Sequence, residues 1–310
     1  MNIILAEPRG FCAGVKRAIE IVERALHKFG APIYVRHEIV HNQFVVDDLR
    51  SKGAIFIKEV DEAPKDAIII FSAHGVSSKV EDDAIKRGLN IVDATCPLVN
   101  KVHREAKKYE DQGNEIILIG HKGHPEVQGT SGRVKKDVIL VSSEEDAKNI
   151  DIKNPEKIAY VTQTTLSVDD TKKIVNILES RFPKMQKGVA TKDICYATQN
   201  RQDAVKKLSK SIDLLLVIGA KNSSNSNRLR DLGLESDLPS YLINNADDID
   251  EEWLKNVNNI GITAGASAPE VLVQGVIDRI KKLSIDPVLI KGMGGVKENI
   301  QFILPKKVRN

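Results

Sequence analysis

The sequence contains three cysteines, and each is followed by apolar residues at the three- and four-residue steps of an amphipathic helix. The cysteines are Cys12, Cys96 and Cys195. The apolar positions after them are Val15, Ala18, Ile19, Val22, Leu26 and Phe29, then Val99, Val102, Ala106 and Tyr109, then Ala204, Val205, Leu208 and Ile212. Backbone N–H groups at a helix start favour a thiolate, and thiolates bind metals. The pattern therefore predicts a three-thiolate metal site.

Polar residues recur behind the cysteines at closely similar spacings, which indicates an internal threefold repeat. One apolar strand in each repeat runs into the first set of polar residues, which is His41, His124 and Ser223. A later strand runs into the second set, which is His74, Thr165 and Ser267. Open parallel sheets bind ligands at the carboxyl ends of their strands. We therefore expect each repeat to present one cysteine and two polar positions to a common central site.

The repeat predicts an α/β fold of three units with small, mostly parallel sheets. We expect a first unit at residues 1–95, with the N-terminal strand and Cys12, a second at 96–194 and a third at 195–286. A strand should precede Cys96 at residues 90–95, and another should precede Cys195 at residues 190–194. The remaining tail, residues 287–310, is predicted to form a strand and a Gly-rich turn and to return over the site.

Composition excludes several classes of protein. The 46 Lys and Arg against 43 Asp and Glu give a net charge of +3, which is too small to indicate nucleic-acid or membrane binding. The cations from Lys101 to Lys108 are predicted to be the solvated face of a helix. No apolar run approaches the roughly 20 residues of a membrane helix, and the N-terminus lacks the pattern of a secretory signal, so we expect a cytoplasmic protein. An odd number of distant cysteines then argues against disulfides.

The spacing of the cysteines favours an iron–sulfur cluster over zinc. Structural zinc sites usually take close pairs of cysteines, which this chain lacks. A 4Fe-4S cluster held by only three thiolates leaves one iron open to substrate. An open iron beside an electron source suits the reductive removal of an oxygen substituent. A zinc site closed by a histidine as fourth ligand remains the alternative.

The polar residues predict the shape of the ligand. The donors could surround a compact polyanion such as a diphosphate, and they are His41, His74, His124, Ser223, Ser224, Asn225 and Ser267. Glu126 follows His124 just beyond a strand end, and a shielded carboxyl there can donate a proton, so it is the predicted acid. Thr165 is placed to orient a substrate hydroxyl near Glu126.

Eight segments, in order along the chain and including all three cysteines, carry a resemblance to a known family. They are residues 8–15 (PRGFCAGV), 72–76 (SAHGV), 93–97 (DATCP), 120–126 (GHKGHPE), 162–167 (TQTTLS), 193–197 (DICYA), 221–228 (KNSSNSNR) and 263–269 (TAGASAP). Together they strongly resemble the 4-hydroxy-3-methylbut-2-enyl diphosphate reductases, which catalyse the last step of the non-mevalonate isoprenoid pathway. The resemblance spans essentially the whole chain, with no departure at a motif position.

The resemblance implies a monomeric trefoil of three α/β units around a central 4Fe-4S cluster that Cys12, Cys96 and Cys195 hold. It places the substrate hydroxyl near Thr165 and Glu126, with Glu126 in proton transfer. It places the diphosphate among His41, His74, His124, Ser223, Ser224, Asn225 and Ser267. Two electrons from ferredoxin or flavodoxin, with two protons, would remove the hydroxyl as water and give isopentenyl or dimethylallyl diphosphate.

Two other classes stay open on the residues alone. A zinc hydrolase would use three cysteines, one histidine and an activated water, and its activity would need no reductant. A non-catalytic iron–sulfur sensor would keep its cluster but would be indifferent to Glu126→Gln, because a sensor needs no proton donor.

Overall fold

The computed structural model describes residues 1–186 and 193–309, and the chain folds into two compact units. The first unit consists of Met1–Ala13, His41–Val45 and Tyr196–Gln301. The second consists of Gly14–Val40, Val46–Cys195 and Phe302–Asn310. The predicted strand at residues 190–194 lies mostly outside the described residues.

The strands are short and pair only in parallel within the described residues. They are β1 (Asn2–Leu5), β2 (Ile33–Arg36), β3 (Ala54–Ile57), β4 (Ile68–Phe71), β5 (Asn90–Asp93), β6 (Glu115–Ile119), β7 (Ile139–Val141), β8 (Ile158–Thr162), β9 (Leu214–Ile218), β10 (Ser240–Ile243), β11 (Asn259–Ala264) and β12 (Leu289–Gly292). Strands β6, β8 and β9 are apolar over nearly their whole length and almost entirely buried, as expected for parallel sheets covered on both faces.

Amphipathic helices connect these strands. They are α1 (Ala13–Phe29), α2 (Gln43–Ser51), α3 (Ser78–Lys86), α4 (Pro97–Asp111), α5 (Pro125–Ser131), α6 (Glu144–Asn149), α7 (Val168–Arg181), α8 (Tyr196–Leu208), α9 (Ser224–Leu234) and α10 (Glu270–Leu283). Serine side chains cap several of them; for example, Ser167 accepts a hydrogen bond from the Asp170 N–H at the start of α7. Within the two described stretches, no helix is both long enough and apolar enough to cross a membrane.

The first compact unit contains a five-stranded sheet in the order β10-β9-β11-β1-β12. Its core includes Ile3 of β1, Leu216 of β9 and Ile262 of β11, with Val276 and Ile280 of α10 packed in the same cluster. The tail contributes the edge strand β12, which confirms the predicted strand after Pro287.

The second compact unit contains two sheets, one in the order β3-β2-β4-β5 and one in the order β7-β6-β8. Helix α7 covers the three-stranded sheet, where its Ile174 and Leu178 pack with Ile117 of β6 and Tyr160 of β8. Strand β5 is the predicted strand before Cys96 and is confirmed. The α/β class with small parallel sheets is therefore confirmed, whereas the domain boundaries stay predictions.

One placement was wrong. We expected the N-terminal strand to belong with residues 1–95, but β1 pairs with β11 and β12 in the sheet formed by the last third of the chain. The register joins Ile3 to Ile260 on one side and to Ile290 on the other. Periodicity identifies a strand but not its partner, because a parallel partner is far away in sequence.

Candidate functional site

Each cysteine lies immediately before a helix, as predicted. Cys12 precedes the first residue of α1, Cys96 is the N-cap of α4, and Cys195 precedes the first residue of α8. No disulfide joins these three residues, all of which the structure describes. A thiol at such a position faces the unpaired N–H groups of the first helical turn, which favour an anion or a thiolate ligand.

The backbone N–H of each cysteine donates a hydrogen bond to a residue that follows a strand. The acceptors are the carbonyl of Ala266 for Cys12 at 3.1 Å, that of Ala73 for Cys96 at 2.9 Å and that of Thr164 for Cys195 at 3.0 Å. The residues directly after these acceptors are predicted binding residues, namely Ser267, His74 and Thr165. The structure thus shows the threefold repeat as one recurring bond between a cysteine and a strand end.

This bond also explains the misplaced N-terminal strand. The N–H groups of Cys96 and Cys195 donate to carbonyls that follow β4 and β8, which are strands of sheets earlier in the chain. The Cys12 N–H instead donates to a carbonyl that follows β11, a strand from the last third of the chain. Strand β1 therefore enters that sheet.

In the first compact unit, predicted polar residues meet at the carboxyl ends of β9 and β11. The Ser267 hydroxyl donates to the backbone carbonyl of His41 at 2.9 Å. Ser223 is the N-cap of α9, where its Oγ accepts from the Ser226 N–H at 3.3 Å and from the Ser226 hydroxyl at 3.0 Å. A Cβ placed at Gly265 would lie 3.5 Å from Asn225 Nδ2, so the loop after β11 touches the start of α9.

Asn225, a predicted binding residue, has a buried side chain without hydrogen-bond partners. It is only 4% exposed, and neither its Oδ1 nor its Nδ2 has a hydrogen-bond partner in the structure. A buried donor and acceptor left without partners is costly, and such groups in native proteins usually mark an ion, a water or a bound molecule. The amide can therefore receive a polar ligand at the start of α9.

In the second compact unit, two predicted histidines lie together. The rings of His74 and His124 are 5.9 Å apart between centroids and meet edge to face at 90°. His124 is the N-cap of α5, and its Nδ1 accepts the Glu126 N–H at 3.2 Å. Because Nδ1 is an acceptor, the neutral ring carries its proton on Nε2 and can donate it to an anionic ligand.

Glu126 is the buried acid that the sequence suggested. Its side chain lies beside Thr164, whose N–H donates to Oε1 at 2.6 Å and whose hydroxyl donates to Oε2 at 3.0 Å. Burial raises the pKa of Glu126 to about 7, against the lowering effect of these two hydrogen bonds, and the negative charge of Asp193 adds to the rise. A carboxyl with this pKa exchanges a proton readily at neutral pH.

Thr165 is fixed by a neighbour that sequence reasoning missed. Gln163 is 1% exposed; its Nε2 donates to Thr165 Oγ1 at 2.8 Å, and its Oε1 accepts the His121 N–H at 3.0 Å. Gln163 and Thr164 both belong to the TQTTLS segment, so their position beside Thr165 was the available signal.

Asp193 is a second missed residue, and it corrects the prediction for Lys101. The Lys101 ammonium is not fully solvated but lies 3.1 Å from Asp193 Oδ1, and Asp193 Oδ2 accepts the Thr162 N–H at 3.3 Å. Burial, with the Glu105 carboxylate adding to it, raises the pKa of Asp193, and Lys101 opposes the rise. The available signal was an aspartate shortly before a cysteine, which also occurs at Asp93.

The predicted site residues divide between the two compact units. The first unit carries Cys12, His41, Ser223, Ser224, Asn225 and Ser267. The second carries His74, Cys96, His124, Glu126, Thr165 and Cys195. Across residues 1–186 and 193–309, no group of three or more His, Cys, Asp or Glu side chains is close enough together to hold a metal ion.

Comparisons with known proteins agree with this set of motifs. The profile of the family described as LytB protein matches residues 3–281. The 4-hydroxy-3-methylbut-2-enyl diphosphate reductase of Azoarcus sp. (strain BH72) is 58% identical over 308 residues, which cover 99% of this chain and 98% of that protein. The reductase of the same name from Ectopseudomonas mendocina (strain ymp) is 56% identical, over 100% of this chain and 99% of that protein.

Two solved structures are also similar. The E-1-hydroxy-2-methyl-but-2-enyl-4-diphosphate reductase of Plasmodium falciparum superposes with a TM-score of 0.92 at 39% identity, covering 99% of this chain and 96% of that one. A structure of (E)-4-hydroxy-3-methyl-but-2-enyl diphosphate reductase, described as the terminal enzyme of the non-mevalonate pathway, gives a TM-score of 0.64 at 35% identity, covering 91% of this chain and 99% of that one.

Proposed function

Because the chain belongs to the LytB protein family, we propose that it is a 4-hydroxy-3-methylbut-2-enyl diphosphate reductase. The reaction breaks the C–O bond of the substrate's hydroxyl group, forms a C–H bond, and consumes two electrons and two protons. Its products are water and isopentenyl or dimethylallyl diphosphate. The observation that carries the proposal on the structural side is Glu126, a buried carboxyl that can supply a proton at neutral pH.

The chemistry of the three thiols suits a 4Fe-4S cluster, which spreads its ligands more widely than a single metal ion does. Cys12, Cys96 and Cys195 are not joined by disulfides, and each lies at a helix start that favours the thiolate. When bound, such a cluster would supply single electrons and Lewis-acid chemistry. The three thiols are the protein ligands in this proposal.

Glu126 is the proton donor. Both of its oxygens are fixed by Thr164, so the carboxyl keeps one orientation, and its pKa near 7 leaves a large protonated fraction at neutral pH. Thr165, fixed in turn by Gln163, orients the hydroxyl of the substrate next to it. We assign the protonation of the departing oxygen to Glu126.

The proposed diphosphate donors are histidine, serine and asparagine side chains. His124 offers the proton on Nε2, with His74 beside it, and a phosphate oxygen accepts from the buried Asn225 Nδ2. His41, Ser223, Ser224 and Ser267 complete the set. Charge-assisted hydrogen bonds of this kind are the strong ones for phosphate oxygens.

We further propose that the protein is a cytoplasmic monomer and that ferredoxin or flavodoxin is its electron donor. Analytical ultracentrifugation of the purified protein tests whether it is a monomer. Reduction of the cluster by ferredoxin and by flavodoxin, each in turn, tests the choice of electron donor.

The test of the function compares Glu126→Gln with the wild type. We expect the variant to bind iron and sulfide normally, to show one distinct iron site by Mössbauer spectroscopy that responds to substrate, and to lose about 100-fold or more in turnover. The matched control is Glu110→Gln, another buried glutamate, whose Oε1 accepts the N–H groups of Lys135 and Lys136.

Each other outcome would contradict part of the proposal. Full turnover by Glu126→Gln would remove Glu126 as the acid. A wild-type protein without an iron–sulfur signal after cluster assembly would remove the reductase and would favour a zinc hydrolase.

A further inference from the structure

A buried arginine lies behind the loop that carries Cys12. Arg201 of α8 is 1% exposed, and its guanidinium donates twice to the carbonyl of Gly10, from Nη2 at 2.7 Å and from Nε at 3.2 Å. Its Nη1 also donates to the Ala197 carbonyl at 2.9 Å. Nothing in the proposed reaction uses this residue, although Gly10 is two residues before Cys12.

The C-terminal tail supplies the negative charge that this arginine needs. Glu298 Oε1 accepts from Arg201 Nη1 at 2.9 Å, and Oε2 accepts from Nη2 at 3.3 Å. Asn200 Nδ2 also donates to Glu298 Oε1, at 3.0 Å. The Glu298 side chain is 13% exposed, whereas its neighbours Lys297 and Asn299 are exposed. A charge removed from water is stabilised only by a partner of this kind.

Other contacts hold the tail against the same loop. The Met293 N–H donates to the Leu5 carbonyl at 3.0 Å, at the end of β1. At Gly295 a Cβ would lie 1.9 Å from the Glu7 carbonyl oxygen, so only glycine permits this approach. The tail therefore passes directly over residues 5–7 before Glu298 reaches Arg201, and all of these residues belong to the first compact unit.

Other hydrogen bonds tie the backbone N–H groups of this loop. The Gly10 N–H donates to the Ala264 carbonyl at 3.1 Å, and the Cys12 N–H to the Ala266 carbonyl at 3.1 Å. Gly10 has a φ of +68°, in the left-handed region that favours glycine. Its carbonyl direction is thus set by Arg201, because the guanidinium fork binds it from two nitrogens.

We propose that Glu298 and Arg201 are positioning residues for Cys12, so that the C-terminal tail holds one cluster ligand in place from behind. The inference rests on the proposed function only in treating Cys12 as a cluster ligand. The guanidinium is a rigid fork that can serve the Gly10 carbonyl and the Glu298 carboxylate together, which a lysine cannot do. Without Glu298 the buried cation loses the carboxylate that it contacts in the described part of the chain, and its bonds to Gly10 weaken.

The experiment measures amide hydrogen exchange in full-length protein as purified, comparing Glu298→Gln with the wild type. We expect exchange at the Gly10 and Cys12 amides to be about tenfold faster in the variant, which corresponds to about 1.4 kcal/mol of lost protection. The amides of Cys96 and Cys195 make the same kind of bond in the second compact unit, so their exchange should not change. The control is Lys297→Gln, at the exposed neighbour.

A second readout follows the cluster in the loaded protein. A chelator should remove iron from Glu298→Gln about tenfold faster than from the wild type, whereas Glu298→Asp, which keeps the carboxylate, should largely restore the rate. Arg201→Lys should show the same pattern of hydrogen exchange as Glu298→Gln. It is the replacement test if Glu298→Gln folds poorly.

Two results would overturn the inference. Unchanged exchange at Gly10 and Cys12 would show that the tail does not hold the loop. Equal acceleration at all three cysteine amides would show a general loosening rather than a positioning role. If the wild type loads no cluster, the reductase proposal fails, while the exchange result still decides whether the tail positions Cys12.

Discussion

Glu126→Gln should make the cluster-free protein more stable as the pH rises, relative to the wild type. The carboxyl is 2% exposed, and burial raises its pKa to about 7. In the unfolded chain a glutamate has a pKa of about 4.3. The folded wild type therefore binds more protons than the unfolded chain between these two values, and its stability falls as the pH rises through that window.

The magnitude follows from the same two values. A tenfold change in proton affinity is about 1.4 kcal/mol, so the full penalty well above pH 7 is about 4 kcal/mol, and about 2 to 3 kcal/mol of it develops between pH 5 and pH 8.5. Glutamine does not ionise, so the variant does not lose this folding free energy as the pH rises. Its amide oxygen can still accept the Thr164 N–H, so any packing cost of the substitution should be the same at both pH values.

Scanning calorimetry at pH 5 and pH 8.5 measures the effect. With an unfolding entropy of about 2.1 cal/mol/K per residue over 310 residues, the Tm of the variant should gain about 4 °C on the wild type between the two pH values. Glu110→Gln is the control; it should lower the Tm, because the Glu110 carboxylate lies 3.6 Å from Lys107 Nζ. A Tm difference that does not change with pH, or that shrinks as the pH rises, would refute a buried, neutral Glu126.

Three further predictions concern two proposed binding residues and the glycines packed against Ser226. Asn225→Leu should raise the Tm of the substrate-free protein, because unsatisfied buried polar atoms cost about 1 to 3 kcal/mol. The same variant should lose the stabilisation that added inorganic diphosphate gives the wild type. A lower Tm without ligand would contradict this prediction. His124→Asn should keep the cap of α5 and the Tm but raise the KM for substrate about tenfold, and an unchanged KM would remove His124 from the diphosphate site. Gly265→Ala places a Cβ 2.0 Å from Ser226 Oγ, so adding Ser226→Ala should restore the Tm of that variant. Gly219→Ala places a Cβ 2.5 Å from Ser226 Cβ, which alanine keeps, so adding Ser226→Ala should not restore the Tm there. Equal recovery of the Tm in both double variants would refute this packing.

Local patterns predicted the elements and the polar strand ends. The helix after each cysteine, the strand before Cys96 and the buried Glu126 all follow from residues close together in sequence. Short-range signals work there because a helix or a strand end is specified by its own few residues.

Long-range partners were beyond those patterns. Arg201 falls at the helical spacing of the apolar residues Ala204, Val205 and Leu208, but nothing near it in sequence indicates its partner Glu298, which lies 97 positions along the chain. Likewise, Asp193 and Lys101 are separated by 92 positions. Charge alone predicts a solvated side chain, and only the fold shows which charges are paired and removed from water.

The recurring cysteine bond has a consequence for how the site can move. In all three cases, the residue whose carbonyl accepts from the cysteine amide directly precedes a predicted substrate-binding residue, Ser267, His74 or Thr165. A strand end that shifts when substrate binds must therefore carry its cysteine with it or lose that hydrogen bond. Each pair lies within one compact unit, Cys12 with Ser267 in the first and the other two in the second. Substrate binding should thus slow hydrogen exchange at the cysteine amides themselves, and exchange that slows only at the binding residues would show that the two sets of ligands respond independently.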